Sequence, residues 1–128
     1  MPNDHDGSPK DLQFEYRIEP REGYVFVAQR GKATLETDVA RMQREIERAM
    51  RSVGTRFAMF DNRDTARPDE WVRATMWSWL TESVDRAALL QTEVRNIKRA
   101  EERGERNRVT VRAFLEEAEA EAWLLAVR

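Results

Sequence analysis

The sequence contains no cysteine and a single histidine, His5. The absence of cysteine excludes disulfide bonds, thiol nucleophiles and thiolate metal sites, and it is typical of proteins in a reducing compartment. One histidine, placed in a polar N-terminal stretch, leaves no histidine-based catalytic triad or zinc site. Glycine is scarce too, and the five glycines are isolated, so the sequence has no glycine-rich phosphate-binding loop.

Long apolar runs are also missing, although 41% of the residues are hydrophobic. No run approaches the roughly 18–20 apolar residues that a membrane-spanning helix needs, so we expect no membrane span. The first ten residues lack the basic start and the apolar stretch of a signal peptide. Together with the absence of cysteine, this favours a cytoplasmic protein.

Neither sign of charge dominates, because 22 lysines and arginines face 24 aspartates and glutamates. Proteins that hold nucleic acid need a clustered basic excess that displaces counterions, so we expect no nucleic-acid partner. The arginines of the first and third predicted helices are interleaved with glutamates. That pattern is typical of a solvated helix face.

An alternation of strand and helix signals runs through most of the chain. Residues 1–11 are polar and rich in proline, glycine and aspartate, which predicts a disordered tail, and residues 12–128 form one domain. A strand of period two and a second strand at residues 24–28 open the domain as a hairpin, and the whole order is ββαβαβαβα. This order predicts an α/β fold with a mixed, mostly parallel sheet and helices packed on it.

Residues 57–60 are continuously apolar, as expected for a central strand that is covered on both faces. A polar loop over residues 61–67 is predicted to follow. Asp61, Asp64 and Thr65 would then lie at the carboxyl end of a central strand, where open α/β sheets usually carry their sites. Two carboxylates and a hydroxyl could hold Mg²⁺. Alternatively, these side chains satisfy backbone amides of the loop and of the helix start.

The helix predicted from Pro68 to about Val84 carries three of the four tryptophans. Its apolar residues spread over a wider arc than one sheet face covers, and aromatic residues are enriched in protein interfaces. Trp77, with Arg73 and Val84 nearby, is therefore predicted to form the contact surface for a second copy or another protein. The alternative is that the tryptophans rim the core, because tryptophan is rarely fully buried.

The end of the chain switches from a strand pattern in residues 108–113 to a helix pattern in residues 115–127. The strand ends in a phenylalanine, and an acidic first turn and alanines precede a Trp-Leu pair. With the apolar strand at 87–90 and the short charged helix after it, this ending resembles the SpoIIAA-like family of the STAS fold, which is related to bacterial anti-sigma factor antagonists. The resemblance covers about residues 12–127.

The resemblance implies a bacterial regulatory or scaffolding module that binds another protein, and a homodimer is the alternative that the tryptophan-rich helix offers. No motif of the sequence is catalytic, so we expect a non-catalytic protein that needs no cofactor. Some antagonists are switched by phosphorylation at the start of the helix after the central strand, and Thr65, preceded by Asp64, stands near that place. The family's Asp-Ser-Ser/Gly-like signature is absent from this junction. Related folds with lipid-cradling pockets imply a small apolar ligand as the alternative. An enzyme that uses Asp61 and Asp64 comes third.

Overall fold

A computed structural model describes residues 13–34 and 36–127 of the chain, so the predicted tail, residues 1–11, lies outside the described residues together with His5. The strands are β1 (Glu15–Arg21), β2 (Tyr24–Gly31), β3 (Phe57–Thr65), β4 (Arg86–Leu90) and β5 (Val111–Phe114). The helices are α1 (Glu36–Val53), α2 (Glu70–Ser83), α3 (Val94–Arg106) and α4 (Glu117–Leu124). The predicted order, ββαβαβαβα, is confirmed.

The five strands form one mixed sheet in the order β1-β2-β3-β4-β5. β1 and β2 form the antiparallel hairpin, and β2 to β5 run parallel. Strands that are consecutive in sequence are also adjacent in the sheet. Right-handed crossovers therefore place α1, α2 and α3 on the same face. α4 comes after the last strand and packs on the opposite face.

The larger core lies between the sheet and the first three helices. The register places Val27, Phe60 and Leu89 side by side on β2, β3 and β4. Met42 and Ile46, which are buried and four residues apart on α1, pack against this row. Residues 57–60 of β3 were predicted to be buried, and three of the four are, while Phe57 is half-buried.

The smaller core lies between the sheet and α4. Phe26, Met59 and Leu90 point to this face and contact Leu124, because side chains alternate along each strand. Tyr24 also belongs to it, and its hydroxyl donates a hydrogen bond to Glu121 Oε2 at 2.6 Å. Burial, together with this hydrogen bond, raises the pKa of Tyr24 to about 12.

The segment after residue 60 is strand rather than the predicted loop. β3 continues to Thr65 because β2 remains beside it: Arg30 pairs with Asp64 and Gly31 with Thr65, beyond a register shift between Ala28 and Arg30. The prediction of a loop was wrong because it relied on the polarity of residues 61–65. Their pairing with β2 is a tertiary contact that local polarity does not reveal.

The strand predicted from residue 108 begins later in the structure, after a helix that contains Gly104. α3 continues through Gly104 to Arg106. Gly104 is buried against β5, where an added Cβ would lie 2.9 Å from Val111 Cβ, so glycine permits the close approach of helix and strand. Arg108 then takes a positive φ of 58°, and β5 begins only at Val111.

None of the helices in the described part of the chain is long and apolar enough to cross a membrane.

Candidate functional site

A cavity of about 550 Å³ lies between the first three helices and the carboxyl halves of β2, β3 and β4. α2 approaches α1 closely but makes little backbone contact with the sheet, which leaves this space beneath it. Ligand-binding pockets typically have volumes of about 300–1,000 Å³. The carboxyl edge of a parallel sheet is also where α/β folds usually bind ligands.

The apolar part of the lining includes four aromatic side chains, those of Phe14, Phe60, Trp77 and Trp79. The rings of Phe60 and Trp79 meet edge to face, with centroids 6.4 Å apart. Trp79 Nε1 donates a hydrogen bond of 2.7 Å to Glu47 Oε2, which fixes the orientation of the indole. Trp77 and Leu89 complete this wall. Such a wall suits an apolar group of a ligand.

The polar part of the lining comes from the carboxyl ends of three neighbouring strands. Gln29 on β2, Asn62 on β3 and Gln91 after β4 all face the cavity. Gln29 is 7% exposed and donates a hydrogen bond from Nε2 to Asn62 Oδ1 at 2.7 Å. Opposite them, the buried Nε2 of Gln43 has no hydrogen-bond partner among the described residues. Buried donors are usually satisfied, so this one is available to a ligand.

Two arginines of the lining are bridged by one carboxylate. Arg73 on α2 donates from Nη2 to Glu70 Oε1 at 2.5 Å, and from Nη1 to the carbonyl of Pro68 at 2.7 Å. Arg103 on α3 donates from Nη2 to Glu70 Oε2 at 3.4 Å. The hydrogen bonds from Arg73 and Arg103 lower the pKa of Glu70 below its usual value. The buried Nε of Arg73 has no partner among the described residues.

The charge of the lining is predominantly positive. Among the described residues that line the cavity, Glu102 is the single carboxylate. The arginines of the lining are Arg67, Arg73, Arg99, Arg103 and Arg106. Arg67, Arg99 and Arg106 are exposed and lie at the rim. The cavity therefore has a positive field near its opening.

The structure separates the three residues that were predicted to form a site after the central strand. Thr65 lines the cavity, and its hydroxyl donates to the carbonyl of Asn62 at 2.8 Å. Asp64 is exposed. Asp61 points to the opposite face, where Arg63 donates to it from Nε and Nη2, both at 2.9 Å. The three oxygen groups therefore do not converge. β3 has one more residue than β2 between the pairs Ala28–Asp61 and Arg30–Asp64, and this register shift reverses the alternation of side chains before Thr65.

Hydrogen bonding also accounts for the charge state of Asp61. Burial raises the pKa of this carboxyl, but the hydrogen bonds from Arg63 outweigh burial, so the pKa lies below its usual value. Within the described part of the chain, no cluster of three or more histidine, cysteine or acidic side chains is arranged to hold a metal ion.

The three residues of the predicted contact surface on α2 differ in their exposure to solvent. Val84 is 4% exposed and belongs to the larger core, so the prediction that it lies on a contact surface is wrong. Trp77 is half-buried against that core, and both Trp77 and Arg73 line the cavity. The exposed tryptophan of this helix is Trp71, at 48%. An interface role for Trp77 and Arg73 stays a prediction.

Sequence reasoning missed the amide groups of the cavity. Gln29, Asn62 and Gln91 each follow the apolar run of a different parallel strand. Equivalent positions at the carboxyl ends of adjacent parallel strands meet at one edge, so their recurrence was a usable signal. The prediction considered the carboxylates after β3 alone.

Comparison with known proteins supports the fold. No protein-family model matches the sequence, and no curated protein matches it. A solved structure that is similar is an uncharacterised protein of the DUF3478 family with a SpoIIAA-like fold, from Shewanella loihica PV-4. The two chains are 17% identical, with a TM-score of 0.67 over 87% of this chain and 93% of the other. Together with the strand order and the helix placement, this similarity shows that the protein has a SpoIIAA-like, STAS-type α/β fold.

Proposed function

We propose that the protein is a non-catalytic regulatory module that binds a small organic ligand between its helices and the sheet. The observation that carries this proposal is the cavity of about 550 Å³, which combines an aromatic wall with buried polar groups. Among the described residues, its lining contains no histidine, cysteine or lysine, and its carboxylate belongs to the exposed Glu102. Such a lining supports binding better than proton transfer, which needs a positioned acid or base.

The energetics of the lining favour an occupied cavity. Covering apolar surface contributes about 25 cal/mol per Å². A buried polar group without a partner costs about 1–3 kcal/mol, and both Gln43 and Arg73 carry such a nitrogen. A ligand with an apolar body and a hydrogen-bond acceptor would satisfy both requirements.

Filling the cavity is expected to abolish this binding. Ala100 on α3 is half-buried and lines the cavity, so Ala100→Phe places a ring inside it. We expect the affinity for 1-octanol or 2-naphthol, followed by the fluorescence of Trp77 and Trp79, to fall at least about tenfold, or 1.4 kcal/mol.

The matched control is Ala122→Phe, which adds the same ring at an exposed position of α4 and should leave probe binding unchanged. Thermal melting of both variants shows whether they fold. Binding of neither probe to the wild-type protein, or equal binding by Ala100→Phe, would contradict the proposal.

The second candidate function is the protein-interaction module that the resemblance implies. It is supported by two exposed apolar side chains, Trp71 at 48% and Val94 at 70%. Trp71 lies in the first turn of α2, and Val94 begins α3. Both helices follow parallel strands, so they begin at the carboxyl edge of the sheet, where Thr65 also lies. This edge is therefore the surface we propose for a second copy or another protein.

Charge at Thr65 is expected to weaken self-association if this edge is the contact surface. Phosphorylation would add about −1.5 to −2 charges, and Thr65→Glu imitates part of that change, whereas Thr65→Ala adds none. We expect sedimentation velocity to show a weaker dimer for Thr65→Glu and for Trp71→Ala, and an unchanged dimer for Thr65→Ala. Equal association of the glutamate and alanine variants would argue against a switch at this residue.

A further inference from the structure

We infer that the ligand of the cavity is an organic anion, and that Arg73 and Arg103 recognise its charged group in place of Glu70. This inference rests on the proposed function, because it assigns a chemical class to the ligand of the same cavity. The class is an apolar body that carries one carboxylate or phosphate group.

The two arginines are placed to bind one anion together. They come from different helices, α2 and α3, and their side chains are each 22% exposed. Both reach the same carboxylate, that of Glu70, at 2.5 and 3.4 Å. Guanidinium groups bind carboxylate and phosphate oxygens through parallel N–H donors, and burial of the pair strengthens such bonds.

Glu70 is the internal anion that a ligand would replace. Its side chain is 63% exposed, whereas those of its two partners are mostly buried. Exposed ion pairs contribute little to stability, so Glu70 can turn into solvent at small cost. Glu70 does not line the cavity, while Arg73 and Arg103 do. An anion inside the cavity would therefore compete with Glu70 for the N–H donors of the two arginines.

The donors that remain unpaired also favour an acceptor-rich ligand. Nε of Arg73 and Nε2 of Gln43 are buried and have no hydrogen-bond partner in the described part of the chain, and both residues line the cavity. A neutral apolar ligand would cover these N–H groups without pairing them, which is unfavourable. The aromatic wall at Phe60 and Trp79 receives the apolar body, and the exposed arginines of the rim add attraction for an anion.

A matched pair of probes tests the inference, because octanoate and 1-octanol have the same chain and differ in charge. Isothermal titration calorimetry of the wild-type protein is expected to show octanoate binding at least tenfold more tightly than 1-octanol. Arg73→Gln and Arg103→Gln should each remove this preference, because each should weaken octanoate binding much more than 1-octanol binding. Octyl phosphate, compared with octanoate, identifies the preferred head group, and inorganic phosphate alone should bind at least tenfold more weakly than octyl phosphate.

Removal of the competing carboxylate should have the opposite effect. Glu70→Gln is expected to tighten octanoate binding threefold or more without changing 1-octanol binding. Glu82→Gln is the matched control, because it removes an exposed carboxylate from the other end of the same helix. If both variants gained a similar affinity for octanoate, the change in net charge alone would explain the gain. This result would contradict the role of Glu70.

The outcomes separate this inference from the proposed function. If neither octanoate nor 1-octanol binds, the proposed function fails and the inference with it. If both bind with equal affinity, the cavity binds ligands but the assignment of an anion is wrong. The two arginine variants are tested separately. If the melting temperature shows that one of them misfolds, the other still provides the test.

Discussion

Phe60→Ala is expected to lower the free energy of unfolding by about 3–5 kcal/mol. Phe60 is 6% exposed at the centre of the sheet, beside Val27 and Leu89, and its ring meets that of Trp79 edge to face. Without the ring, the neighbouring side chains lose their packing contacts with Phe60, and the space under α2 becomes larger. Because a small domain has a total stability of about 5–15 kcal/mol, the loss is a large fraction of it.

Urea denaturation followed by tryptophan fluorescence measures this change. Phe57→Ala on the same strand is the control, because Phe57 is half-buried and packs on the smaller core. We expect a smaller loss for Phe57→Ala. A Phe60→Ala variant within 1 kcal/mol of the wild-type protein would show that the ring does not hold the larger core together.

Leu124→Ala is expected to lower the free energy of unfolding by about 2–5 kcal/mol. Leu124 is fully buried in the last turn of α4, against Phe26, Met59 and Leu90. α4 has eight residues. Among the helices of the described residues, it is the one that covers this face of the sheet. Short helices are held by tertiary packing rather than by their own propensity, so the loss of one anchor should loosen the helix.

Denaturant unfolding and hydrogen exchange of the α4 amides give the measurement. Val127→Ala is the control, because Val127 is 48% exposed and its replacement should change stability by no more than about 0.5 kcal/mol. If Leu124→Ala and Val127→Ala unfold at the same denaturant concentration, α4 does not contribute to the smaller core as described.

The position of α2 connects the fold to its proposed function. In a compact α/β layer a crossover helix rests on the sheet, but here α2 makes little backbone contact with the strands, and Trp77 and Trp79 pack against the larger core. The space beneath α2 lies at the carboxyl edge of the sheet, where Gln29, Asn62 and Gln91 line it. Apolar side chains of α2 and polar side chains of the strands therefore meet in the cavity to which we assign ligand binding.

Local pattern was sufficient for the element order and for the buried faces of most elements. Period-two alternation, the apolar run at 57–60 and the helical spacing on α1 each depend on neighbours in sequence, and they predicted the confirmed ββαβαβαβα order. α1 ends at Val53, and Gly54 follows it with a φ of 79°. Such signals are readable because burial of one face selects residues at a fixed period.

Only the tertiary structure decided which polar residues meet. Thr65 and Asp61 are four positions apart in sequence, a spacing that places residues of a regular strand on the same face, yet the register shift between β2 and β3 puts them on opposite faces of the sheet. Arg73 and Arg103 are thirty residues apart and bind one carboxylate. The sequence by itself determined an α/β domain of ordered strands and helices, since periodicity is local. The cavity and its charge result from the way the helices pack on the sheet. The order of elements along the sequence does not specify this packing in detail.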